Sequence, residues 1–380
     1  MSEYQSVRVE EKEKDMNRLE ETVRKIEPID ERMMEEAQKR LDNLTKPLGS
    51  LGRLEELAKR VVGITRKEKP PMKNKVIFTM AGDHGVVEEG VSAYPQEVTP
   101  QMVYNFLRGG AGINVLAGHI GAKVIVVDMG VKEKIECQSV RVSENQDAKL
   151  KIKKVNYGTK NFTKGPAMTR EEAVKSIEAG IEVFAEVGSV REEESEINIV
   201  GTGDMGIGNT TPSSAITAVY TKEKIENITG RGTGIDDSVL AKKIRVIEQG
   251  IKLNKPDSDD AIDVLSKVGG YEIGGIAGII LAGAAAKIPV VIDGFISGAA
   301  ALIAYGLQGL VKDYLIASHC SVERGHRVIL DYLCLRPLFD LEMRLGEGTG
   351  AALGINIVEA SIKILTEMAT FENAGVSKKT

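Results

Sequence analysis

The chain has 380 residues, of which 42% are hydrophobic, and it carries a formal net charge of −5. This length predicts one large domain with a smaller accessory one, and mixed charges without a dense basic stripe argue against a nucleic-acid-binding protein. The three cysteines, Cys137, Cys320 and Cys334, are too scattered for a disulfide framework. Their spacing favours a reducing, cytoplasmic location.

The N-terminal region, residues 15–65, is rich in Glu, Lys and Arg and has periodic Leu, Ile and Met, which predicts helices. The segment Leu44–Gly52 (LTKPLGSLG) separates two of them, and Arg66–Lys75 (RKEKPPMKNK) is typical of a linker. The first residues are charged and lack an apolar stretch, so we expect no signal peptide there.

After the linker, short apolar runs that end in glycine-containing loops recur along the chain. They are KVIFTMAGDHG (75–85), AKVIVVDMG (122–130), EINIVGTGDMG (196–206), IPVVIDGFISG (288–298) and, more weakly, DYLIASHCSVERGH (313–326). Helix-like patterns separate the runs, for example at 101–120, 169–187, 238–253 and 348–370. This alternation predicts an α/β fold with a doubly wound, Rossmann-like parallel sheet, whose ligands bind at the carboxyl ends of the strands.

The longest apolar region, 273–302, is interrupted by glycines, Lys287, Pro289 and Asp293. A membrane span needs an unbroken apolar stretch of about 20 residues. We therefore expect a helix, a strand and a second helix here, and no membrane span.

The segment Ile199–Ser214 (IVGTGDMGIGNTTPSS) places glycines between an apolar strand and a Ser/Thr-rich helix start. Backbone N–H groups and hydroxyls in such a loop bind anions, most often phosphate. A Walker A loop is excluded because no Gly-Lys-Ser/Thr follows. The G-x-G-x-x-G string from Gly201 to Gly206 also fits a dinucleotide-binding loop, and a tight turn without a ligand is a further alternative.

Three other segments combine glycines with polar residues. Thr229–Asp237 (TGRGTGIDD) is followed by Lys243, which suits a phosphate or carboxylate, although a solvated loop is the alternative. In Gly82–Gly85 (GDHG) we expect a hydrogen-bonded Asp–His pair and no metal site, because the other histidines lack ligand spacing. Glu347 lies between two glycines before a helix, where it is either a helix cap or a base.

Six segments in this order resemble the nicotinate-nucleotide:dimethylbenzimidazole phosphoribosyltransferase family over residues 37–368. They are LDNLTKPLGSLGRLEELA, GDHGVVEEGVSAYPQEVTPQMVYNFLRGGAGINVLA, GTGDMGIGNTTPSSAI, GRGTGIDD, VIDGFISGAAALIA and RLGEGTGAALG. The resemblance implies transfer of phosphoribose from nicotinate mononucleotide to a base in cobamide assembly, which gives an α-ribazole 5′-phosphate and nicotinate. It implies no cofactor and no metal, and a homodimer, with a hetero-oligomer of two similar chains as the alternative.

The resemblance also implies roles for particular residues. Glu347 is expected to be the general base. The pocket for the aromatic base is expected to include Ser92, Tyr94, Gln101 and Leu345. The residues expected to hold the nucleotide are Gly203, Asp204, Gly206, Gly208, Asn209, Gly230, Arg231, Gly232, Lys243 and Ser297.

The expected domains are a small helical domain built from both ends of the chain and the parallel-sheet domain. Residues 1–72 are predicted to form an arm and helices of the small domain, 73–335 the sheet domain, and 336–380 a catalytic loop and a helix that packs with the small domain.

Asp204 departs from the family, whose members usually carry Glu there. The base is therefore 5,6-dimethylbenzimidazole or, with altered preference, a phenol or purine.

Three rival functions make demands that the sequence meets poorly. A phosphoribosyl-pyrophosphate-dependent transferase requires adjacent acidic residues directly after a strand, and Asp236 and Asp237 do not follow one. A dinucleotide oxidoreductase requires an acidic residue at the next strand end, whereas Glu223 lies in a polar, helix-like run. A non-catalytic nucleotide-binding subunit has no use for a base at Glu347.

Overall fold

The computed structural model describes residues 17–136, 149–189, 196–232 and 234–377, so Cys137 lies outside the described residues. In this part of the chain a parallel six-stranded sheet has the order β3-β2-β1-β4-β5-β6. The strands are β1 Lys75–Gly82, β2 Ala122–Gly130, β3 Lys149–Ile152, β4 Ile199–Met205, β5 Val290–Ile292 and β6 Leu315–Ala317. This is the doubly wound order of dinucleotide-binding folds, and it confirms the predicted fold class.

Helices connect the strands and cover both faces of the sheet. They are α1 Arg18–Arg24, α2 Glu31–Asp42, α3 Arg53–Thr65, α4 Val98–Leu107, α5 Gly112–Ile120, α6 Arg170–Gly188, α7 Thr210–Thr221, α8 Ile225–Ile228, α9 Asp237–Asn254, α10 Ala261–Val268, α11 Tyr271–Ala285, α12 Phe295–Leu307, α13 Arg324–Tyr332, α14 Thr349–Glu367 and α15 Phe371–Ala374, with 3₁₀ turns at Gly85–Glu89 and Gly309–Tyr314. Across the described ranges, no helix is both long and apolar enough to cross a membrane.

The sheet has its topological switch point between β1 and β4. These strands pair in parallel from Lys75 with Ile199 to Ala81 with Met205. From β1 the chain builds outward to β3, and from β4 it builds outward to β6 in the other direction. The loops after β1 and β4 therefore diverge and leave a crevice, which is where ligands bind in sheets of this kind.

Two hydrophobic cores lie on the two faces of the sheet. Successive residues of a strand point to opposite faces, and Phe78 belongs to the core with α6, α11 and α12 while Ile77 belongs to the core with α2, α3, α5 and α14. Glycines allow α6 and α11 to touch, since a Cβ on Gly180 would lie 2.1 Å from the carbonyl oxygen of Gly275. The buried helix α11 thus packs closely against α6 on this face of the sheet.

Helices from both ends of the chain pack together. Leu44 forms a β-bridge with Thr370, and the Arg40 guanidinium donates to the carbonyl oxygen of Leu365. Helix α14 also lies on the sheet, so the terminal helices share a core with that face. The boundaries at residues 72 and 336 stay a prediction.

The elements differ from the predicted ones at three places. Residues 101–120 form parts of two helices, α4 and α5, because Gly109 turns the chain with φ of 78°. Strand β3 has no apolar run and was not predicted. Strand β4 continues through Gly201 and Gly203, so the glycine loop begins only at Gly206. The helix, strand and helix expected in 273–302 are confirmed as α11, β5 and α12, and the weak fifth run is confirmed as β6.

Candidate active site

A cavity of about 440 Å³ opens beside the carboxyl ends of β4 and β5, a volume that suits a small-molecule ligand. Its apolar wall consists of Val91, Tyr94, Val98, Met102, Phe295, Ile296 and Leu345. Its titratable and hydroxyl-bearing side chains include Asp204, Thr210, Arg231, Lys243, His319, Glu323, Arg344 and Glu347. Acidic, basic and apolar side chains thus line one cavity.

A strained turn presents Glu347 to the cavity. Gly346, Glu347 and Gly348 have φ values of 82°, 63° and 100°, so three consecutive residues occupy the left-handed region. For a residue with a side chain this conformation costs about 1–2 kcal/mol. The backbone of Glu347 is held by the sheet, because its N–H donates to the carbonyl oxygen of Asp204 at 3.1 Å and its carbonyl accepts from the Thr79 hydroxyl at 2.8 Å. Such strain, held in place by its surroundings, is typical of functional sites.

Asp293 fixes the same turn from the other side. It directly follows β5, and its carboxylate accepts from the backbone N–H groups of Gly348 at 3.0 Å, Gly350 at 2.7 Å and Ala351 at 3.2 Å. Burial raises the pKa of Asp293 to about 7, although these three hydrogen bonds act to lower it. The carboxylate satisfies N–H groups at the start of α14 that have no partner within the helix.

The Glu347 side chain has one engaged oxygen and one free oxygen. Oε2 accepts from the backbone N–H of Ile113 at 3.1 Å, at the start of α5, and Oε1 makes no hydrogen bond within the described part of the chain. The residue is 5% exposed, and burial raises the pKa of its carboxyl although the Ile113 N–H opposes this. Glu347 does not cap its own helix α14. A carboxylate of raised pKa with a free oxygen at an apolar cavity suits a general base.

Asp204 lies next to this turn at the end of β4. Its Oδ2 accepts from the Asn209 side-chain amide at 2.9 Å, and its Oδ1 is buried and has no hydrogen-bond partner among the described residues. Burial raises the pKa of Asp204 well above its ordinary value, and the carboxylates of Asp293 and Glu272 raise it further. Because Asp204 lines the cavity, a carboxyl group of raised pKa lies next to the region where a ligand fits.

The cationic end of the cavity is built around Lys243 of α9. Its buried Nζ donates to the Thr210 hydroxyl at 2.6 Å, at the start of α7. Burial lowers the pKa of Lys243 to about 8, against the attraction of Glu323. Arg344 donates to the carbonyl oxygen of Gly232 at 3.4 Å. An ammonium group beside a glycine loop and a helix N-terminus suits a phosphate.

Asp83 and His84 do not line this cavity. Asp83 Oδ2 accepts from the backbone N–H of Lys132 at 2.8 Å, and His84 Nε2 lies 2.8 Å from Glu272 Oε1 in a buried pair. Burial acts to lower the pKa of His84, but Glu272 and Asp83 together raise it above its ordinary value. Each residue therefore bonds to a different element, in contrast to the expected Asp–His pair. Within the described ranges, no three His, Cys, Asp or Glu side chains are grouped as a metal site.

Most of the residues predicted for the site lie together around the cavity. Those that line it are Ser92, Tyr94, Asp204, Gly206, Gly208, Asn209, Arg231, Gly232, Lys243, Leu345 and Glu347. Thr233, within the predicted loop Thr229–Asp237, lies outside the described residues. The roles assigned to the lining residues stay predictions.

Four predicted residues lie outside the lining: Gln101, Gly203, Gly230 and Ser297. Gln101 is exposed on α4, and Ser297 is buried and accepts from the Thr202 hydroxyl at 2.9 Å. The two glycines provide space, because a Cβ on Gly203 would meet the carbonyl oxygen of Glu347 at 2.2 Å and a Cβ on Gly230 would meet Glu323 Oε2 at 2.0 Å. The structure therefore gives these glycines a packing role, and their contact with a ligand stays a prediction.

The sequence predictions missed Asp293 and Glu323 as site residues. Asp293 had a usable signal, since an acidic residue directly after an apolar parallel strand lies at the ligand-binding edge of the sheet. Glu323 had none, because it lies six residues beyond the end of β6 and its partner Gly232 is distant in the sequence.

Comparison with known proteins identifies close relatives. A phosphoribosyltransferase family model matches residues 26–376. The nicotinate-nucleotide–dimethylbenzimidazole phosphoribosyltransferase of Geobacter sulfurreducens is 57% identical over 363 residues, 96% of this chain and 99% of that protein. The Desulforamulus reducens protein of the same name is 56% identical over 368 residues, 96% of this chain and 100% of that protein. A crystal structure of the Thermus thermophilus protein, with 41% identity, matches 92% of this chain and 100% of that chain at a TM-score of 0.83.

Proposed function

The chain belongs to the nicotinate-nucleotide–dimethylbenzimidazole phosphoribosyltransferase family, and from this we propose that it transfers phosphoribose from nicotinate mononucleotide to 5,6-dimethylbenzimidazole. The products are α-ribazole 5′-phosphate and nicotinate, in cobamide nucleotide-loop assembly. Membership confirms the family and the enzyme class that the sequence predicted. The observation that carries the proposal is a cavity that combines the Glu347 carboxylate, an apolar wall and the Lys243 ammonium.

The part of the cavity around Lys243 would bind the phosphate of the substrate. Lys243 and Thr210 supply a charge and a hydroxyl, and Gly206 and Gly208 line the cavity just before the start of α7. Phosphate on a helix N-terminus gains from unpaired N–H groups and from the helix dipole. With its 5′-phosphate bound at this end, nicotinate mononucleotide would direct C1′ of its ribose towards Glu347.

The reaction itself needs one base. A ring nitrogen of the incoming base attacks C1′ and the bond from C1′ to the pyridinium nitrogen breaks, with its electron pair retained by nicotinate. That nitrogen was positively charged, so it leaves without protonation and no general acid is needed. The N–H proton of the incoming ring passes to the Oε1 of Glu347. Attack from the opposite face converts the β-glycosidic bond into an α bond, and much of the rate gain comes from orientation of two bound reactants.

Asp204 supports a second candidate for the incoming base. Asp204 lines the cavity together with Glu347, and Asp reaches one methylene less far than the Glu usual in the family. A shorter carboxylate leaves more room and offers an acceptor at a different place. A phenolic or purine base, taken by this chain alone or with a second similar chain, is the alternative that this position favours.

We further propose that the reaction takes place in the cytoplasm and in a homodimer, with two small molecules as partners and no nucleic acid. The scattered cysteines support a reducing compartment. The exposed apolar side chains of Tyr94 and Leu345 at the cavity support a covered, assembled site.

A turnover screen tests the proposal. Purified protein and nicotinate mononucleotide are offered 5,6-dimethylbenzimidazole, benzimidazole, adenine and phenol in parallel, and the products are identified by mass spectrometry. We expect nicotinate and an α-ribazole phosphate, with the highest kcat/KM for the preferred base. Release of no nicotinate with any base, in a preparation that is folded and dimeric, would contradict the proposed function.

A further inference from the structure

Glu323 is a buried carboxylate at the phosphate end of the cavity that the proposed reaction does not use. It is 6% exposed. Its Oε1 accepts from the backbone N–H of Gly232 at 2.9 Å, and its Oε2 is buried and finds no hydrogen-bond partner in the part of the chain that the structure describes. Leaving a buried carboxylate oxygen unpaired is costly. A negative charge beside a site for an anion therefore requires a local reason.

Helix capping does not explain the buried carboxylate of Glu323. Glu323 is the N-cap residue of α13, where Ser, Thr, Asp or Asn is preferred because the side chain accepts from the first turn. Its carboxylate makes no such bond and reaches instead to the loop before α9. Glutamate at this N-cap departs from the usual residue preference and does not stabilise the helix through its side chain. Such a departure indicates that the residue has a role outside the helix.

The glycine loop that contains Gly230 and Gly232 leaves space for the Glu323 carboxylate. A Cβ on Gly230 would lie 2.0 Å from Glu323 Oε2, so a side chain cannot replace that glycine without displacing the carboxylate. Gly232 has φ of 53°, and a Cβ there would approach Thr210 Oγ1 at 3.0 Å and Lys243 Nζ at 3.6 Å. One carboxylate thus fixes the loop segment that lies directly against the Lys243 ammonium.

We propose that Glu323 is a positioning residue for the phosphate end of the cavity, where its carboxylate fixes the Gly232 backbone and supplies the counter-charge that keeps Lys243 protonated. The inference rests on the proposed function for the identity of the phosphate. The role of Lys243 itself as an anion-binding cation can be tested without turnover.

Charges around Lys243 support this assignment. The charged and titratable side chains that line the cavity with it are Tyr94, Asp204, Arg231, His319, Glu323, Arg344 and Glu347. Burial lowers the pKa of Lys243 to about 8, and Glu323 is the group that raises it. Arg231 pairs with Asp237, and burial lowers the pKa of His319 to about 4, so it is neutral near pH 7. Loss of the Glu323 charge therefore leaves desolvation of the ammonium uncompensated.

The test uses Glu323→Gln, which retains an oxygen for the Gly232 N–H and removes the charge. Sulfate, a dianion over the whole range, is titrated calorimetrically from pH 6.5 to pH 9 at constant ionic strength. Each profile is scaled to its own value at pH 6.5. For the unaltered chain we expect affinity to fall as pH rises through the Lys243 pKa, and for Glu323→Gln we expect the midpoint about one pH unit lower. The same shift is expected in the alkaline limb of kcat/KM for nicotinate mononucleotide, which reports the free enzyme.

Three variants make the result unambiguous. Lys243→Met should abolish the alkaline limb in both backgrounds. Asp331→Asn, which removes an exposed carboxylate from the same helix α13, should leave the midpoint unchanged. Should Glu323→Gln fail to fold, Glu323→Asp keeps the charge and shortens the reach, so its midpoint should stay while its affinity falls evenly at every pH.

An unmoved midpoint in Glu323→Gln, or a moved one in Glu323→Asp, would overturn the inference. A chain that binds sulfate with the expected profiles but never releases nicotinate would leave Glu323 as assigned and refute the proposed reaction. The two failures are therefore distinguishable.

Discussion

Glu347 combines three features that a residue in a purely structural turn has no need of. It holds a left-handed backbone conformation, a buried carboxylate of raised pKa, and an oxygen that no described residue engages. The N–H of Ile113 holds its other oxygen in place. The side chain is thus oriented before a substrate arrives, which is the arrangement that favours proton transfer from a bound ring.

Replacement of Glu347 by Gln is expected to lower kcat by about 10²–10⁴-fold, the usual contribution of a positioned base. The amide keeps the volume and can still accept from Ile113, so affinity for nicotinate mononucleotide should stay within about twofold. Turnover by mass spectrometry and binding by calorimetry measure the two effects separately. Unchanged turnover would remove Glu347 from the role of base.

Glu342→Gln is the matched control for that experiment. Glu342 lies in the same segment, is exposed and also has a positive φ of 54°, but does not line the cavity. Its substitution should leave both kcat and affinity unchanged. A parallel loss of activity in both variants would point to the segment as a whole and not to the Glu347 carboxylate.

At the residue scale, sequence indicated the groups whose local pattern is unusual. Glu347 between two glycines and Lys243 after a glycine loop were singled out, and both line the cavity. Asp293 and Glu323 were missed because their roles consist of hydrogen bonds to backbone 55 and 91 residues away. A single sequence contains no local periodicity that reports such long-range contacts.

At the element scale, the turn at 346–348 couples three elements. Its backbone bonds to β1 through Thr79 and to β4 through Asp204, and the start of α14 bonds to Asp293 after β5. Gly203 in β4 lacks a side chain where the Glu347 backbone crosses it. The position of Glu347 is therefore set by the central strands of the sheet.

Gly348→Ala is expected to disrupt this coupling. A Cβ there would lie 2.7 Å from Ile77 Cγ2 while φ stays at 100°, so conformational strain and overpacking add. We expect a loss of about 3 kcal/mol in the free energy of unfolding, measured by urea denaturation, together with reduced turnover. Gly121→Ala separates the two causes, since Gly121 has φ of 66° and open space around its Cβ position. That variant should lose about 1 kcal/mol, and an equal loss in both would contradict the packing argument.

The sequence predicts the elements that have a clear apolar run or an apolar helical periodicity, and it does not predict the elements that lack both. Strands β1, β2 and β5 are buried apolar runs, whereas β3 is a four-residue edge strand with two lysines that looks like a loop. The break between α4 and α5 had a signal in Gly109 and Gly110 that the helical pattern on either side outweighed. The end of β4 was misplaced because glycines in a strand mark close packing as well as turns.

At the scale of the whole molecule, sheet order decides where the chemistry occurs. The switch point between β1 and β4 opens a crevice. The end of β4 brings Asp204 to this edge of the sheet, and the loops after β5 and β6 bring Asp293 and Glu323. The alternation of strands and helices predicted that some crevice would exist at this edge. Which loops meet there depends on strand order, and single-sequence patterns do not contain that order.

The nature of the leaving group leads to a prediction about metal ions. The leaving nicotinate departs as a neutral ring from a pyridinium, and the phosphate of nicotinate mononucleotide is a single group that Lys243 and the glycine loop can hold. No pyrophosphate is expelled, so no Mg²⁺ is required to stabilise a leaving group of high charge. Turnover should therefore persist within about twofold in excess EDTA.

Phosphoribosyl pyrophosphate, with or without Mg²⁺, should fail to replace nicotinate mononucleotide in the same assay. A pyrophosphate-dependent transferase would behave in the opposite way, with complete loss in EDTA and full recovery when Mg²⁺ is added back. That outcome would reassign the cationic end of the cavity to a metal-chelated pyrophosphate, and Lys243 would then no longer suffice as the counter-charge for the substrate.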